Sequence, residues 1–581
     1  MALSSDHGGE QKRYLSANGG SPPGRDGARA AGARSTSEAR SPLPGKRPFA
    51  TRHARPGERK EGIRHPRPWL LLASASLLCQ GHHAEAQAAI LAQEVPGQRA
   101  ARFASAEGSR GAWASCDSHL GVRNSRTAAP RTGQAQAPAR PGQQELRHSA
   151  CDSIAPVPQE EFGIAGGDVI WRQVTVGSVK GPRLGVEARA IGASTDSLRK
   201  AWDRAWLRGA KPISLDRPGP RADINVVDLF SGCGAMSLGV RMAAEALGRT
   251  FRAKVAADFE VAALKVYERN FRPEHAIRGD VRAAVDFELS STGTWLRPPK
   301  LLDEGLKRAV GDTDLLIGGP PCQGHSDLNN HSRRDDPKNS LYLVMPAIAV
   351  ALDVPVLIIE NVPAVVHDTQ AVVERTRLAL EASGYRVSQL VCPVARLGVA
   401  QRRKRHALVA VKGARVDLSG VVEALATLER PLSWAIADLE AVSQKTAFDA
   451  VSSLTKANRR RIEKLFEDDL YDLPNTQRPP CHRDKNHSYV SMYGRMKWDE
   501  PAQTITSGFG SPGQGRYVHP RQRRTLTPHE AARIQFFPDS FAFGDGACVP
   551  GRTQLAVMIG NAVPPKLSYA VTLGAMSAMA L

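Results

Sequence analysis

Five short apolar runs, at residues 224–230, 255–257, 315–317, 356–359 and 407–411, alternate with helix-length periodic segments such as 261–270 and 371–383. Strand-length runs interleaved with amphipathic helices bury both faces only when the strands lie side by side with helices above and below. The expected fold class is therefore α/β, a doubly wound and mostly parallel sheet. In such a sheet, ligands sit beyond the carboxyl ends of the strands, where strand order reverses. Four marked loops fall there: DLFSGCG at 228–234, DFE at 258–260, GGPPCQGHS at 318–326 and ENVP at 360–363. They should meet on one rim.

Upstream the composition differs. The first seventy residues hold fourteen Lys or Arg against six Asp or Glu, among many Gly, Pro and Ser. Such a stretch buries too little apolar surface to offset its chain entropy, so residues 1–150 are expected to be a disordered basic tail. The run at 69–79 is too short to span a bilayer and lies far from the amino terminus, which excludes a membrane anchor on these grounds. Residues 151–222 contain a β-rich piece, Val169-Ile170-Trp171-Arg172, and a helix-like stretch at 195–206, and form an extension of unknown role. The net charge of +20 favours a polyanionic partner. Eight cysteines, with no CxxC pair, argue against a disulfide framework or structural zinc and fit a reduced compartment; no metal site is expected.

The first loop carries Gly232 and Gly234, which permit close backbone approach to a ligand but also serve strand-to-helix packing. Asp258, ending the second strand, is placed to accept hydrogen bonds from ribose hydroxyls. Asp280 and Val281 offer a carboxylate and an apolar contact suited to an adenine edge; a helix cap explains Asp280 equally well. With no GxxxxGK[ST] loop, the pattern suggests a nucleoside-bearing cofactor without triphosphate chemistry.

Cys322 sits on a stiff loop directly after a buried strand, so the backbone fixes its sulfur. Partial exposure there favours a nucleophile over inert packing. Glu360 emerges from the run 356–359 at the rim, where desolvation would raise its pKa and let it protonate a substrate nitrogen near neutral pH. In AQRRKR, residues 400–405, alternation sends Arg403 and Arg405 to one side, where they can neutralise phosphate or hold a carbonyl oxygen.

These motifs in this order resemble the cytosine-5 DNA methyltransferase family of bacterial modification methylases. DLFSGCGAMSLG is similar to its first cofactor motif, GGPPCQGHS to its nucleophile loop, ENVP to its glutamate motif and AQRRKR to its arginine motif. RTLTPHEAARIQFFPD, at 524–539, resembles the motif supporting the recognition domain, and QLAVMIGNAVPP, at 554–565, the motif that returns to the cofactor site. The likeness covers roughly residues 223–581. It implies a Rossmann-like methyltransferase sheet from residues 223–411 and 526–581, with a smaller loop-rich target-recognition domain at 412–525. It further implies Cys322 as nucleophile, Glu360 at ring nitrogen 3 of the target base, and Arg403 with Arg405 as stabilisers. Phe230, Gly232, Cys233, Asp258, Phe259, Asp280, Val281, Pro321, Leu341, Asn561 and Val563 would line S-adenosylmethionine. The implied partners are double-stranded DNA and a cognate restriction endonuclease, for a cytoplasmic, nucleoid-associated monomer. Three positions depart from the family pattern: Ala400 stands for proline, His325 for phenylalanine and Phe536 for glycine. The Cys-Phe-Thr signature of the RNA-acting branch is absent, which favours DNA. Retention of Cys322 and Glu360 argues against a catalytically dead DNA-binding relative, and the missing pyrophosphate fingerprint against a Rossmann-type oxidoreductase.

Overall fold

The computed structural model describes residues 153–216, 222–321, 337–442, 446–484, 491–545 and 549–579. The expected tail, and Cys322 with Gln323, Gly324, His325 and Ser326, lie outside the described residues. Among those described, no helix is long and apolar enough to cross a membrane.

The chain opens with an antiparallel sheet of β1 (Gln159–Ile164), β2 (Val169–Val176), β3 (Val179–Lys180), β4 (Leu184–Glu187) and β5 (Ile213–Ser214), in the order β1-β2-β4-β5 with β3 beside β2. Alternate residues of VIWRQVTV in β2 face inward, the period expected of a half-covered strand. Helix Thr195–Leu207, capped by the Ser194 hydroxyl, covers this sheet by setting Leu198 and Trp202 against Ile170, Leu184 and Val186.

The central sheet takes β6 (Asp223–Leu229), β7 (Thr250–Asp258) and β8 (His275–Arg278) to one side. A hairpin of β9 (Val285–Leu289) and β10 (Trp295–Leu301) intervenes before β11 (Leu315–Gly318), β12 (Val356–Asn361) and β13 (Arg386–Pro393). The short β14 (Gln401–Arg402) then leads into β15 (Lys404–Val411), and a distant β16 (Ala502–Gln503) pairs with β14. Seven strands join in the order β13-β15-β12-β11-β6-β7-β8. β11 and β12 are buried at every residue, which is why they read as unbroken apolar runs. Ile317, Val356 and Ile358 pack into the core on one face, and Leu316, Leu357 and Ile359 into that on the other.

The sheet is mixed. β6, β7, β8, β11 and β12 run parallel, but β15 is antiparallel to both β12 and β13. The run at 407–411 is thus the later part of an antiparallel strand and not another βα repeat. Only a short stretch joins β13 to β15, and a parallel crossover needs a dozen residues or more, usually with a helix. The strand order reverses between β6 and β11, so the loops after both open onto one crevice.

Helices Leu418–Ala424 and Leu432–Ile436 pack their apolar faces into the principal core. A separate small core forms further on, from Ile462, Leu465, Leu473, Tyr493 and Val518. The last helix, Pro565–Ala578, is buried along its length and lies against helix Ala235–Ala246. Gly239 makes this approach possible, since a Cβ there would collide with Ser568 Oγ and the Pro565 carbonyl and sit 2.8 Å from Tyr569 N. Gly239→Ala is expected to destabilise the fold by about 1–3 kcal/mol through overpacking, against the gain that alanine usually brings within a helix. Urea unfolding of the two proteins checks the sign.

Candidate active site

Glu360 is next to last in the buried strand β12, and its neighbour across the sheet is Ala407 of β15; Asn361, which closes the strand, faces His406. Because β15 is antiparallel, its amino end lies where β12 ends, and Arg405 reaches the same rim. Arg405 Nε stands 2.7 Å from Glu360 Oε1, with both side chains about nine-tenths buried. A parallel strand would have put this arginine at the far edge of the sheet. Burial pushes the Glu360 carboxyl above its ordinary value, and the charges of Arg405 and Arg403 hold it back only in part. Such a group can carry a proton at a pH where a free carboxylate would not.

The two arginines act differently. Arg403 is buried, and its Nη1 donates to the carbonyls of Ile505 at 2.7 Å and Gly560 at 3.4 Å. It lies near enough to Glu360 to affect its charge, but its hydrogen bonds join the 502–506 segment to the last helical turn before Asn561.

The loop leading to Cys322 converges on the same place. A Cβ on Gly319 would lie 3.4 Å from Glu360 Oε2 and 3.9 Å from both Met236 Sδ and Val563 Cγ2. Four separate sequence motifs therefore meet around one glycine. Asn361 Nδ2 donates to the Pro320 carbonyl at 3.3 Å, while its Oδ1 accepts from Val362 N at 2.8 Å. The asparagine beside Glu360 thus anchors the backbone two residues before the cysteine. Pro320 is buried and Pro321 half-buried.

On the β6–β7 side the backbone bends sharply. Phe230 takes a left-handed φ of 56°, followed by Gly232 at 54° and Gly234 at 93°. Strain of this kind in a non-glycine residue collects at ligand sites. Asp258, expected to face a ribose, accepts from Gly232 N and Glu260 N, each at 2.7 Å, and so closes the glycine loop. Each oxygen keeps acceptor capacity toward a ligand. Asp280 takes the alternative reading as well: it caps the turn Val281–Ala284 by accepting from Arg282 N and pairs with the Arg282 side chain. Val281 and Val563 are buried, Leu341 is half-buried, and Asn561 is exposed.

The groups at this rim suit a nucleoside with a polar tail. Phe259 is 79% exposed next to Asp258, a flat apolar face at the rim. Ser231, whose N–H bonds to Ala257, has a buried hydroxyl without a partner, as does one oxygen of Asp228 behind it. These groups fit the base, ribose and charged end of S-adenosylmethionine.

Cysteine chemistry separates cleanly. Burial pushes the thiols of Cys233 and Cys392 up to about 12, which makes both inert at neutral pH. Cys233 remains part of the loop wall, with Sγ toward the Met558 carbonyl.

Sequence reasoning missed Gln401 and Gln535. Gln401 Nε2 donates to Gln535 Oε1 at 2.5 Å, Gln401 Oε1 accepts from Ile505 N, and Gln535 Nε2 donates to the Ile559 carbonyl at 2.7 Å. This amide pair ties the arginine segment to the segment before Asn561. The only hint in the sequence is an amide within each of the two runs, before Arg402 and after Ile534.

Residues 224–574 match the family described as C-5 cytosine-specific DNA methylase. The chain is 42% identical over 422 residues to the Type II methyltransferase M1.BsuMI of Bacillus subtilis (strain 168), covering 71% of this chain and 94% of that protein. That share exceeds the stretch 224–581, so the likeness reaches into the amino-terminal extension. It is 30% identical to the Type II methylase M.HgiDII of Herpetosiphon aurantiacus, over 44% of this chain and 74% of that one. With M.DdeI of Desulfomicrobium norvegicum it shares 26% identity, over 60% and 87%.

Arg405→Leu removes the main charge opposing the upward shift of Glu360. A carboxyl whose folded pKa lies above its unfolded value contributes stability that is complete below the unfolded pKa and lost as pH rises through the folded one. Raising the folded pKa further deepens that loss on the alkaline side. The variant is expected to lose about 1–3 kcal/mol more stability, relative to the parent, at about pH 8 than at about pH 5. Urea unfolding at both pH values checks this; a loss independent of pH would contradict it.

Proposed function

Since the chain belongs to the C-5 cytosine-specific DNA methylase family and is a DNA cytosine-5-methyltransferase, we propose that it methylates carbon 5 of cytosine in a specific duplex word, through a transient bond between Cys322 and an extruded base. The observation that carries this reading is the buried Glu360, raised in pKa and held by Arg405, beside the anchored loop that leads to Cys322.

Carbon 5 of cytosine is a weak nucleophile because the ring is electron-poor. Attack of the Cys322 thiolate at carbon 6, with Glu360 giving a proton or strong hydrogen bond to ring nitrogen 3, moves electron density onto carbon 5. S-adenosylmethionine supplies the electrophilic methyl group. A base then takes the carbon 5 proton, the bond between carbon 6 and sulfur breaks to release the thiolate, and Glu360 recovers its proton from ring nitrogen 3. Arg405 keeps Glu360 in place and opposes the rise in its pKa, and Arg403 holds the walls around it. Phe230, Gly232, Cys233, Asp258, Phe259, Asp280, Val281, Pro321, Leu341, Asn561 and Val563 form the donor pocket in this reading. A base inside a duplex cannot present carbon 6 to sulfur, so the nucleotide rotates out of the stack to meet Cys322.

Target reading falls to the region that contributes the separate small core, within the expected 412–525 span. Its helix Lys456–Glu467 turns Ile462 and Leu465 inward and leaves Arg459 and Arg460 exposed, a disposition suited to phosphate contacts. The Type II names of the relatives support a place in restriction and modification; in this reading the chain acts as a monomer on chromosomal DNA in the cytoplasm and protects it from a cognate endonuclease.

Bisulfite sequencing of DNA from cells expressing the chain should reveal protected cytosines at one recurring word, absent with Cys322→Ser. No methylation above that control would overturn the reading. Glu360→Gln is expected to lower kcat by about 10²–10⁴-fold, measured by methyl transfer to a duplex carrying that word.

A further inference from the structure

Helix Thr195–Leu207 does more than cover its own sheet. Its Trp206 stacks on Phe536, with ring centroids 5.3 Å apart and planes 20° from parallel. Phe536 is completely buried and holds a left-handed φ of 71°, at the position where the family pattern carries glycine. An L residue in that conformation costs energy and persists only where its surroundings over-determine it. Here Trp206 packs on one aromatic face, and the Lys566 ammonium lies 5.1 Å from the ring. The departure from glycine and the tryptophan that stacks on it make a matched pair between the extension and the 528–541 segment.

The contact continues in both directions along the chain. The Leu207 carbonyl accepts from Asp539 N at 2.9 Å. Arg208 grips Asp438 with Nε at 3.0 Å and Nη2 at 2.5 Å. Asp438 also accepts from Arg533, which in turn pairs with Asp539. His529 then bridges Asp539 at 2.9 Å and Asp449 at 2.8 Å, and its ring stacks on Phe448 at 4.7 Å. Residues 448–450 are where the chain leaves the principal core for the small one. A continuous set of polar contacts therefore runs from the extension, through 533–539, to the root of the region proposed to read DNA.

We propose that residues 153–216 are a brace that fixes the root of the recognition region, with Trp206 and Arg208 as positioning residues that act on target binding through Phe536 and Asp438. The effect on DNA rests on the function proposed above; the effect on the root does not. Because neither residue belongs to the donor pocket or to the Glu360 site, losing the brace weakens target selection and leaves chemistry in place.

The test uses the full chain and compares Trp206→Ala, Trp206→Phe and Arg208→Ala with the parent. For Trp206→Ala and Arg208→Ala, KM for the target duplex is expected to rise roughly tenfold, and discrimination against a one-base variant of the word to fall by a similar factor. kcat and the affinity for S-adenosylhomocysteine should stay within about twofold, and Trp206→Phe, which keeps a stacking ring, should recover most of the loss. Hydrogen exchange reads the root directly: amides of 446–470 should exchange roughly tenfold faster in Trp206→Ala. Unchanged exchange in that segment overturns the brace whatever the enzyme does. Faster exchange with unchanged duplex KM and discrimination overturns its role in target selection. A parent chain that methylates no cytosine defeats the proposed function instead, and the exchange result still decides the brace.

Discussion

The contact between Arg405 and Glu360 depends on one reversal of chain direction. A parallel sheet delivers only carboxyl ends to its ligand rim, and amino ends to the opposite edge. Inserting β15 antiparallel between β12 and β13 brings the beginning of a strand to that rim, so a cation meets the carboxylate next to last in β12. Burial raises the pKa of the Glu360 carboxyl, and the cation opposes that rise. The two influences pull against each other at one carboxyl, an arrangement suited to a group that must give and take a proton.

The surroundings serve that poise. Asn361 fixes the loop toward Cys322, Gly319 leaves room for the carboxyl, and Val563 returns from the far end of the chain to line the same space. Asp258 closes the glycine loop on the donor side through two backbone hydrogen bonds. Buried amides of Gln401 and Gln535, with Arg403, knit the arginine segment to the segment before Asn561. Each of these polar groups is expensive to bury alone and has at least one partner from a distant part of the sequence. The consequence is a site whose parts cannot shift independently.

How much of this was legible beforehand follows from what kind of signal each element carries. β11 and β12 announce themselves because a strand covered on both faces must be apolar at every position. β13 mixes polar with apolar residues at the sheet edge and gives no such run; with it unseen, the short link to β15 and the reversal it forces stayed hidden. Glu360 was readable from its place after an apolar run, but its partner in space was not, since pairing across strands depends on direction. Asp280 shows the limit for single residues, because a carboxylate that caps a turn and one that meets a ligand look identical in sequence. Gln401 and Gln535 were illegible for the same reason. Trp206 and Phe536 lie 330 positions apart, and only the fold reveals that one answers the other.

The central claim is that Glu360 activates the ring for a bond from Cys322, and the most direct measurement is the rate of covalent attachment to a duplex carrying 5-fluorocytosine at the target, with S-adenosylmethionine present. Fluorine cannot leave carbon 5 as a proton does, so the bond persists and mass spectrometry of the peptide bearing Cys322 detects it. The account predicts near-complete attachment for the parent chain and attachment slowed by about a hundredfold or more in Glu360→Gln. Normal methylation of ordinary cytosine by a parent chain that never attaches, or equal attachment rates in the two proteins, would contradict it.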